Sequence, residues 1–464
     1  MNFFFNDKIG ILGLSKSGVS SAKFLKSKGF QVLGHDDNKE ILKKIKKKRI
    51  NIKKLNKNDL KKIKMLIVSP GIHSIGEKKH FFLKKAEKNN VEVINDIEIY
   101  YRFNPIQNYI GVTGTNGKST TVSLLNHVLR KNKINCSLGG NIGRPICDLK
   151  ELKNNIYILE ISSFQLELMK KVRFKIAVLL NISKDHLERH GSFSKYISDK
   201  TKIFNNQSEN DISIFGIDDK NTINLAKKLK RKLKSKIITI SGKANKADIY
   251  VKNKFLIVNF FLNKKKIYKK INLNNFKNLF GEHNYQNIAA VYAAVLSLGF
   301  INWKKIEHSI KTFKPLPHRL QIVGQKNGIV FINDSKATNI DSTEKALKNF
   351  NNIYLILGGR MKEKNINLLK KHFFRIRHVF LIGETKFLYH KYLKNLINCS
   401  ILNNLKDASN YAYSAALKDI KRTKKKFPII LLSPACSSLD EWNNFEERGN
   451  AFIKYVKNIK YINE

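Results

Sequence analysis

The run from Tyr109 to Thr121 (YIGVTGTNGKSTT) places the tightest constraint on the fold of this chain. Its apolar start is typical of a buried strand, and the apolar residues after Thr121 recur at helical spacing. Glycines between strand and helix let backbone N–H groups approach phosphate oxygens, and the helix N-terminus adds its positive dipole. The predicted phosphate-binding residues are Gly114, Thr115, Asn116, Gly117, Lys118, Ser119 and Thr120.

Lys118 can reach the terminal phosphates of a nucleotide, and the hydroxyl group of Ser119 or Thr120 can ligate Mg²⁺. The motif departs from the standard P-loop, which has a glycine five residues before the Gly-Lys pair, where this chain has Val112. A glycine-rich turn with a chance lysine is the alternative. Because strand, loop, Gly-Lys-Ser run and helix occur together, the phosphate site is the favoured interpretation.

Length and charge limit the remaining possibilities. A chain of 464 residues should form about three domains, and 42% hydrophobic residues allow a substantial core. The formal net charge of +52 would normally indicate nucleic acid or an anionic membrane as a partner. Lysines are spread through every segment, however, and only residues 43–49 and 421–426 are dense. We therefore expect anionic substrates and no nucleic-acid partner.

The four cysteines form no C-x-x-C pair and show no metal-ligand spacing, which is typical of a reducing compartment. The N-terminal sequence lacks the features of a signal peptide. The longest apolar run, residues 288–300, is too short to span a bilayer and predicts a buried helix. These features predict a cytoplasmic protein without membrane insertion, and we expect it to be a monomer.

Alternating strand and helix patterns predict an α/β protein with three domains. Residues 1–104 form the first, which is Rossmann-like in outline. Its fingerprint, GLSKSG at residues 13–18, is degenerate, so a mononucleotide or sugar-nucleotide site there stays open. Ligands of parallel sheets bind beyond the carboxyl ends of the strands, where this domain has Asp36, Asp37 and the turn of Ser69, Pro70 and Gly71.

Residues 105–314 form the predicted P-loop domain. One strand, residues 156–161, ends in Glu160, and another, residues 176–182, is followed by His186. A carboxylate and an imidazole at the ends of two neighbouring parallel strands, beside a phosphate loop, can hold metal ions. Each residue alone is more often just a polar strand end, but together they favour a metal site.

Residues 315–464 form the third domain, which follows a linker marked by Pro315 and Pro317. Its predicted strands are residues 328–333, 353–357, 378–382 and 427–432, separated by segments of helical length. Polar clusters follow the strands, among them residues 334–339 (DSKATN) and 433–438 (SPACSS). This domain is therefore also predicted to be Rossmann-like.

Seven motifs occur in order along the chain: GTNGKST, LEISSFQLE, NISKDHLERH, GEHNYQNIAA, PHRLQ, NDSKATN and LLSPACSSLDEWNNFEERGN. Together they resemble the Mur ligases, ATP-dependent amide-bond ligases of bacterial cell-wall precursor synthesis. The middle-domain motifs are shared with sister ligases and with folylpolyglutamate synthases. The last two runs are similar to those of the member that adds D-glutamate.

The resemblance implies substrates and a reaction. ATP would phosphorylate the alanyl carboxylate of UDP-N-acetylmuramoyl-L-alanine, and the amine of D-glutamate would attack the acyl phosphate. The implied catalytic residues are Lys118, Lys200, His186 and Glu160. Two Mg²⁺ ions are expected, one held by Ser119 or Thr120 with Glu160, the second with help from His186. Lys200 matches the family lysine that reacts with CO₂ to give a carbamate, an anionic oxygen ligand for Mg²⁺.

The resemblance also implies a binding role for residues in all three domains. Those expected on the nucleotide are Asn284 or Asn287, Arg319 and Asp334. Those expected around the sugar nucleotide are Ser15, Ser17, Asp36 or Asp37, Ser69, Gly71, Asn141, Ser162 and Ser163. Those expected around D-glutamate are Lys336, Thr338, Lys362, Ser438 and Phe445.

Two positions depart from the family pattern. The stretch before Lys362 reads GGRM, so Lys362 is the weakest assignment and Arg360 is an alternative for its role. Lys184 stands where an acidic residue is common in the family.

Two other functions compete with D-glutamate ligation. A folylpolyglutamate synthase would lack the first domain, which this chain has. The second competitor is a nucleic-acid-binding NTPase, which only the net charge favours. Such a protein would need basic residues clustered on one face together with stacking aromatic residues.

Overall fold

The computed structural model describes residues 7–47, 50, 52–73, 79–185, 187–243, 246–262, 265–276, 279, 281–361, 366–423 and 427–459. Two residues with predicted roles, His186 and Lys362, lie outside this described part. The chain divides into two compact units. The first spans residues 1–275 and 285–312, and the second spans residues 276–284 and 313–464. The predicted domain limits at residues 104 and 314 stay predictions.

The first unit begins with a sheet whose described strands are all parallel, in the order β3-β2-β1-β4-β5. The strands are β1 (Lys8–Leu12), β2 (Gln31–His35), β3 (Lys53–Lys54), β4 (Met65–Val68) and β5 (Glu92–Ile94). The helices are α1 (Lys16–Ser27), α2 (Lys39–Lys47), α3 (Phe81–Lys88) and α4 (Asp96–Phe103). This is the predicted Rossmann-like arrangement, in which ligand-binding loops follow β1, β2 and β4.

The second sheet of this unit has the order β14-β13-β12-β11-β10-β9-β6-β8-β7 in the described residues. The strands are β6 (Asn108–Thr113), β7 (Cys136–Gly140), β8 (Ile156–Glu160), β9 (Ile176–Leu179), β10 (Ile212–Gly216), β11 (Lys236–Ser241), β12 (Ile249–Lys252), β13 (Phe255–Leu262) and β14 (Lys265–Asn272). The pairs from β7 to β12 are parallel, and β13 and β14 add an antiparallel edge.

The helices of this part are α5 (Lys118–Lys131), α6 (Ser163–Glu167), α7 (Leu187–His190), α8 (Phe193–Thr201), α9 (Lys220–Lys230), α10 (His283–Ser297) and α11 (Trp303–Lys311). Several begin where a polar side chain accepts a backbone N–H, which satisfies a group the helix itself leaves unpaired. Ser162 caps α6, Ser192 caps α8 and Asp219 caps α9 in this way. Local sequence therefore sets where these helices start.

The second unit contains one described sheet in the order β15-β16-β20-β17-β18-β19, parallel except for the β15–β16 pair. The strands are β15 (Gln321–Lys326), β16 (Ile329–Asn333), β17 (Ile353–Gly358), β18 (Ile376–Ile382), β19 (Cys399–Ile401) and β20 (Ile429–Leu432). The helices are α12 (Ile340–Leu347), α13 (Lys386–Leu393), α14 (Leu405–Thr423) and α15 (Phe445–Lys457). Four of these strands were predicted, within three residues at each end.

Each parallel sheet is buried by helices on both sides, which explains the nearly continuous apolar strands such as IYILE in β8. In the first unit, Tyr109 and Tyr157 stack at 5.3 Å, and the Tyr100 hydroxyl donates to that of Tyr157 at 3.0 Å. Burying the phenols of Tyr100 and Tyr157 costs little, because the Tyr100 hydroxyl donates to Tyr157 and the Tyr157 hydroxyl donates to Lys150 O. The predicted α/β class is confirmed by these sheets.

Gly18 allows α1 to pack closely on the loop that precedes it. A Cβ atom at this position would lie 1.9 Å from the carbonyl oxygen of Gly13. We expect Gly18→Ala to destabilise the first unit by about 1–3 kcal/mol, because this overpacking exceeds the helix-propensity gain of roughly 1 kcal/mol. Thermal denaturation followed by circular dichroism measures the change.

Gly324→Ala is the control, since nothing lies within 4 Å of a Cβ atom there. Equal melting temperatures for the Gly18 and Gly324 variants would contradict this account of α1 packing.

Candidate active site

The phosphate loop connects β6 to α5 and has the backbone that its glycines predict. Gly117 caps α5 with φ of +88°, a left-handed conformation that favours glycine. A Cβ atom on Gly117 would lie 2.4 Å from Oδ1 of Asn287. Asn287 also accepts a hydrogen bond from the Thr121 hydroxyl at 3.2 Å. Asn287, on α10, therefore packs directly against the loop, and the alternative Asn284 lies three residues earlier on the same helix.

Two lysine side chains converge on one carbonyl oxygen of this loop. Lys118 Nζ donates to Gly114 O at 2.6 Å and to Thr115 O at 2.8 Å. Lys200 Nζ, from α8, donates to the same Gly114 O at 3.0 Å and to the Thr113 hydroxyl at 3.4 Å. The structure thus brings together the two lysines that the sequence assigned to catalysis.

Lys200 is buried, with 2% of its surface exposed. Burial holds the pKa of its amine well below the usual value, and the nearby charge of Lys118 lowers it further. The carboxylates of Asp185 and Glu160 act in the opposite direction but do not cancel these effects. An amine in such surroundings is readily unprotonated, which is the form that reacts with an electrophile.

Glu160 ends β8 beside the loop. Its register partner on β6 is Val112, and its partner on β7 is Gly140. The carboxylate is buried, and Oε1 accepts a hydrogen bond from Asn141 Nδ2 at 2.9 Å. Ser119, the first residue after Lys118, is also buried. Carboxylate, amide and hydroxyl oxygens are the donor types that Mg²⁺ prefers, so these residues fit the predicted ion.

Other loop residues are fixed by contacts with the strand end after β9. The Asn116 backbone N–H donates to Asn181 Oδ1 at 2.9 Å. The Thr115 hydroxyl lies 3.2 Å from Ser183 O and 3.0 Å from the hydroxyl of Tyr196, on α8. These bonds preorganise the loop before any ligand arrives.

Ser162 and Ser163, assigned to the acyl end of the substrate, make different contacts. Ser162 forms a capping box with Gln165, in which each side chain bonds the other residue's backbone N–H. The buried Ser163 hydroxyl lies 2.9 Å from Nε2 of His190. His190 was not predicted, although it stands in the quoted run NISKDHLERH.

Residues assigned to the sugar nucleotide lie at the carboxyl edge of the first sheet. Asp36 is buried, and its carboxylate accepts the backbone N–H groups of Leu14 at 2.6 Å and Asn38 at 2.8 Å. The Ser69 hydroxyl donates to Gly13 O at 2.7 Å. Asp36 and Ser69 therefore shape the loops after three adjacent strands. Ser15 and Gly71 are exposed at the same edge, and Ser17 is half-buried.

Asp37, the alternative to Asp36, is exposed and lies between two imidazoles. The Nε2 atoms of His35 and His80 are each 3.1 Å from its carboxylate. Burial raises the pKa of Asp37, but the hydrogen bonds from the two histidines outweigh it and lower that pKa overall. His80 Nδ1 accepts the Phe82 N–H at 3.1 Å, which leaves the ring proton on Nε2, directed at Asp37. This is a hydrogen-bonded cluster at the predicted sugar-nucleotide edge.

In the second unit, Lys336 Nζ lies 3.7 Å from the centre of the Phe445 ring, so two residues assigned to D-glutamate are adjacent. Lys336 and Thr338 are half-buried, and Ser438 is buried. Arg448, which the sequence did not single out, connects the two polar runs. Its guanidinium donates to the backbone oxygens of Ser335 at 2.9 Å and Cys436 at 3.1 Å. Burial lowers the pKa of Arg448 to about 10.

Arg360, the alternative to Lys362, is engaged with an acidic neighbour. Its guanidinium lies 2.6 Å from Oε1 of Glu384 on the surface of the second unit. A role toward a substrate carboxylate would require it to exchange this partner.

The family models match the chain in three segments. "Mur ligase MurD-like, N-terminal domain" matches residues 7–95, "Mur ligase middle domain" residues 112–295, and "Mur ligase, glutamate ligase domain" residues 318–436. UDP-N-acetylmuramoylalanine--D-glutamate ligase of Rickettsia felis is 38% identical over 460 residues, which cover 98% of each chain. The chain belongs to the Mur ligase family.

Solved structures of Mur ligases share the fold. UDP-N-acetylmuramate-alanine ligase MurC of Thermotoga maritima matches with a TM-score of 0.58 at 17% identity, covering 97% of this chain and 99% of that one. MurF ligase of Thermotoga maritima in complex with ADP matches with a TM-score of 0.54 at 18% identity, covering 87% and 97%. The predicted three-domain Mur ligase architecture is confirmed. Among the residues the structure describes, no helix is both long and apolar enough to cross a membrane.

Asp334, the Mur ligase residue expected on the ribose, has both carboxylate oxygens engaged. Oδ1 accepts the Leu320 N–H at 3.2 Å, and Oδ2 accepts from the Ser433 hydroxyl at 2.9 Å. Burial raises its pKa from 3.8 to about 7, against the lowering effect of the Ser433 bond, the Leu320 N–H and the charge of Arg319. The folded protein thus holds this proton to higher pH than the unfolded chain does.

A raised folded-state pKa means that the stability from Asp334 is present at low pH and falls as pH rises from about 4 to about 7. Asp334→Asn removes this titration. We expect the unfolding free energy of the variant to rise relative to the unsubstituted protein by on the order of 2 kcal/mol between pH 5 and pH 8. Urea denaturation at both pH values measures it, with the half-buried Asp341→Asn as control. A difference that does not change with pH would contradict the raised pKa.

Proposed function

We propose that this Mur ligase joins D-glutamate to UDP-N-acetylmuramoyl-L-alanine at the expense of ATP, in peptidoglycan precursor synthesis. The observation that carries the proposal is the convergence of Lys118 and Lys200 on Gly114 O, beside the buried Glu160. The relative from Rickettsia felis, which aligns over nearly the whole chain, bears the name of this activity. The ADP complex of the Thermotoga maritima MurF ligase supports ATP as the phosphoryl donor.

In the proposed reaction, the alanyl carboxylate attacks the γ-phosphorus of ATP and ADP leaves, which gives an acyl phosphate. The D-glutamate amine then attacks the acyl carbon, a tetrahedral intermediate forms, and its collapse releases phosphate and leaves the amide. Phosphoryl transfer of this kind depends on positioning and charge stabilisation more than on covalent help. The loop N–H groups and Lys118 are proposed to supply both.

Lys118 donates to the loop carbonyls of Gly114 and Thr115 in this structure. When phosphate oxygens enter the loop, the ammonium group exchanges these neutral acceptors for anionic ones, which form stronger hydrogen bonds. We assign nucleotide binding also to the other loop residues from Gly114 to Thr120 and to Asn287. The same role is proposed for Asn284, Arg319 and Asp334.

Ser119 and Glu160 would hold Mg²⁺, which would offset the negative charge that builds up on the phosphates. His186 is proposed to help hold a second ion. Lys200 is proposed to react with CO₂ through its unprotonated amine, forming an N–C bond and releasing one proton to give a carbamate. The reaction replaces an uncharged amine by an anionic oxygen ligand, and the burial of Lys200, which lowers the pKa of its amine, supports it.

The uridine diphosphate part of the substrate is assigned to the loops of the first sheet, at Ser15, Ser17, Asp36 and Ser69 with Gly71. Asn141 and Ser162 are assigned to its acyl end. D-Glutamate has two carboxylates, and desolvating them requires cations or several donors. Lys336, Thr338 and Ser438 are proposed to receive them, with Lys362 as a further cation, and Phe445 is proposed to line the same pocket.

The test of this function is phosphate release with the alanyl sugar nucleotide, ATP and one amino acid at a time. We expect D-glutamate to be strongly preferred over L-glutamate and over diamino acids, because the polar runs of the second unit offer cations and hydroxyls for carboxylates. Lys118→Ala, as the negative control, should abolish release. A better rate with a diamino acid would contradict the assignment.

The same assay locates the amino-acid pocket. Lys336→Ala should raise the KM for D-glutamate at least about tenfold, the expected effect of losing a charged hydrogen bond, and change the KM for ATP little. Lys386→Ala is the matched control, since Lys386 also lies over a phenylalanine ring, 5.4 Å from that of Phe387. If Lys336→Ala weakened ATP binding alone, the pocket would be wrongly placed.

A further inference from the structure

Three buried side chains form a hydrogen-bonded chain next to the proposed carbamate lysine. The Ser163 hydroxyl lies 2.9 Å from Nε2 of His190, and Nδ1 of His190 lies 3.1 Å from Oδ2 of Asp199. All three residues are at most 3% exposed. Nothing in the proposed reaction uses His190 or Asp199, so their burial needs a separate explanation.

The partners fix which atoms carry the protons. The Asp199 carboxylate also receives Lys195 Nζ at 2.6 Å and Lys202 Nζ at 3.2 Å, which favours its ionised, acceptor-only form. His190 therefore donates its Nδ1–H to Asp199, and in the neutral ring its Nε2 accepts a hydrogen bond from the Ser163 hydroxyl. The order serine, histidine, aspartate is that of a nucleophilic triad, but here the serine is enclosed by protein on the first turn of α6.

The chain of bonds connects two segments that carry proposed site residues. Asp199 immediately precedes Lys200 on α8, and Ser163 follows Glu160 by three residues. Neighbouring residues on a helix point about 100° apart, so Asp199 can bond His190 while Lys200 reaches Gly114 O. Any rotation of α8 that moved Lys200 would also break the Asp199 bond.

The imidazole ring of His190 is held on its other sides by aromatic rings. Phe164 stacks on it at 5.0 Å, and Tyr196 meets it edge-on at 5.2 Å. The Tyr196 hydroxyl in turn lies 3.0 Å from that of Thr115, and its ring lies 4.8 Å from Lys200 Nζ. His190 is thus packed against both α8 and a side chain that bonds the phosphate loop.

We propose that Asp199 and His190 are positioning residues, which set the rotation of α8 and so hold Lys200 Nζ at the phosphate loop. The inference rests on the proposed function, in which Lys200 acts as a carbamate. The Asp199–His190 bond is the essential contact, because it adjoins Lys200 directly. The Ser163 bond anchors the imidazole to α6.

Single variants separate this role from simple stability. Asp199→Ala should lower kcat at least about tenfold, as expected when a reacting group shifts by a fraction of an ångström, with each KM changed less than about threefold. Asp199→Asn, which can still accept the Nδ1–H, should keep most of the rate. Asp211→Ala is the control, since Asp211 is a buried aspartate paired with Arg173 at 2.7 Å and makes no bond to α8 in the described residues.

Three variants of His190 test whether its bond to Asp199 or its bond to Ser163 matters. The amide of His190→Asn reaches the position of Nδ1 and should restore most of the rate relative to His190→Ala. The longer His190→Gln reaches the position of Nε2 and should not. Equal losses in Asp199→Asn and Asp199→Ala, or a loss in Asp211→Ala as large as in Asp199→Ala, would overturn the inference.

A bicarbonate titration reads out Lys200 itself. With ¹³C-bicarbonate, the unsubstituted protein should give a carbamate NMR signal that Lys200→Ala removes. Asp199→Ala should need at least about threefold more bicarbonate for half of the signal, whereas Asp211→Ala should not. If the unsubstituted protein were inactive with every amino acid, the proposed function would be contradicted, and the bicarbonate titration would still test whether Asp199 positions Lys200. If the protein were active but gave no carbamate signal, the carbamate would be refuted, and the kcat values of the Asp199 variants would test the positioning role.

Discussion

The carbonyl oxygen of Gly114 accepts hydrogen bonds from the amino groups of Lys118 and Lys200, and the rest of the site depends on this convergence. The two amino groups are held close at one neutral acceptor because α5 and α8 fix their backbones. Burial is the main cause of the lowered pKa of Lys200, and the charge of Lys118 lowers it further. The arrangement therefore suits anions, since phosphate oxygens would pair with the charge of Lys118 and a carbamate would replace the uncharged amine of Lys200 by an anion beside it.

Parallel strands explain why these groups meet. Strands β6, β8 and β9 are neighbours, so the phosphate loop, Glu160 and the segment leading to Asp185 leave the same edge of one sheet. The helices then fix individual side chains. Asn287 on α10 fills the space that Gly117 leaves open, and Tyr196 on α8 bonds the loop through Thr115. A site built in this way is rigid before substrates bind, which is where positioning catalysis gains most.

The strands next to polar runs could be predicted because an apolar run followed by glycine or a polar cluster is a local signal. Strands β10 to β14 were not predicted, although each pairs with the strand next to it in sequence. In the site, Lys118 and Glu160 could be found from their neighbours in sequence. Lys200 was found by resemblance alone, because a buried lysine looks like any other in a chain with 88 basic residues. His190 and Arg448 were missed because their partners are distant in sequence, 27 residues for His190 and Ser163 and 113 residues for Arg448 and Ser335. Asp199 was missed because its bond to His190, nine residues away, is visible only in the folded chain.

In the proposed reaction, ATP bound at the phosphate loop phosphorylates the alanyl carboxylate. Transfer of a carboxylate oxygen to the released phosphate tests this step directly. UDP-N-acetylmuramoyl-L-alanine labelled with ¹⁸O in the alanyl carboxylate would be converted with ATP and D-glutamate. The released phosphate would then be analysed by mass spectrometry. An acyl phosphate requires that one carboxylate oxygen leave with the phosphate, so the account predicts phosphate carrying a single ¹⁸O atom. Unlabelled phosphate, released together with the amide product, would contradict it.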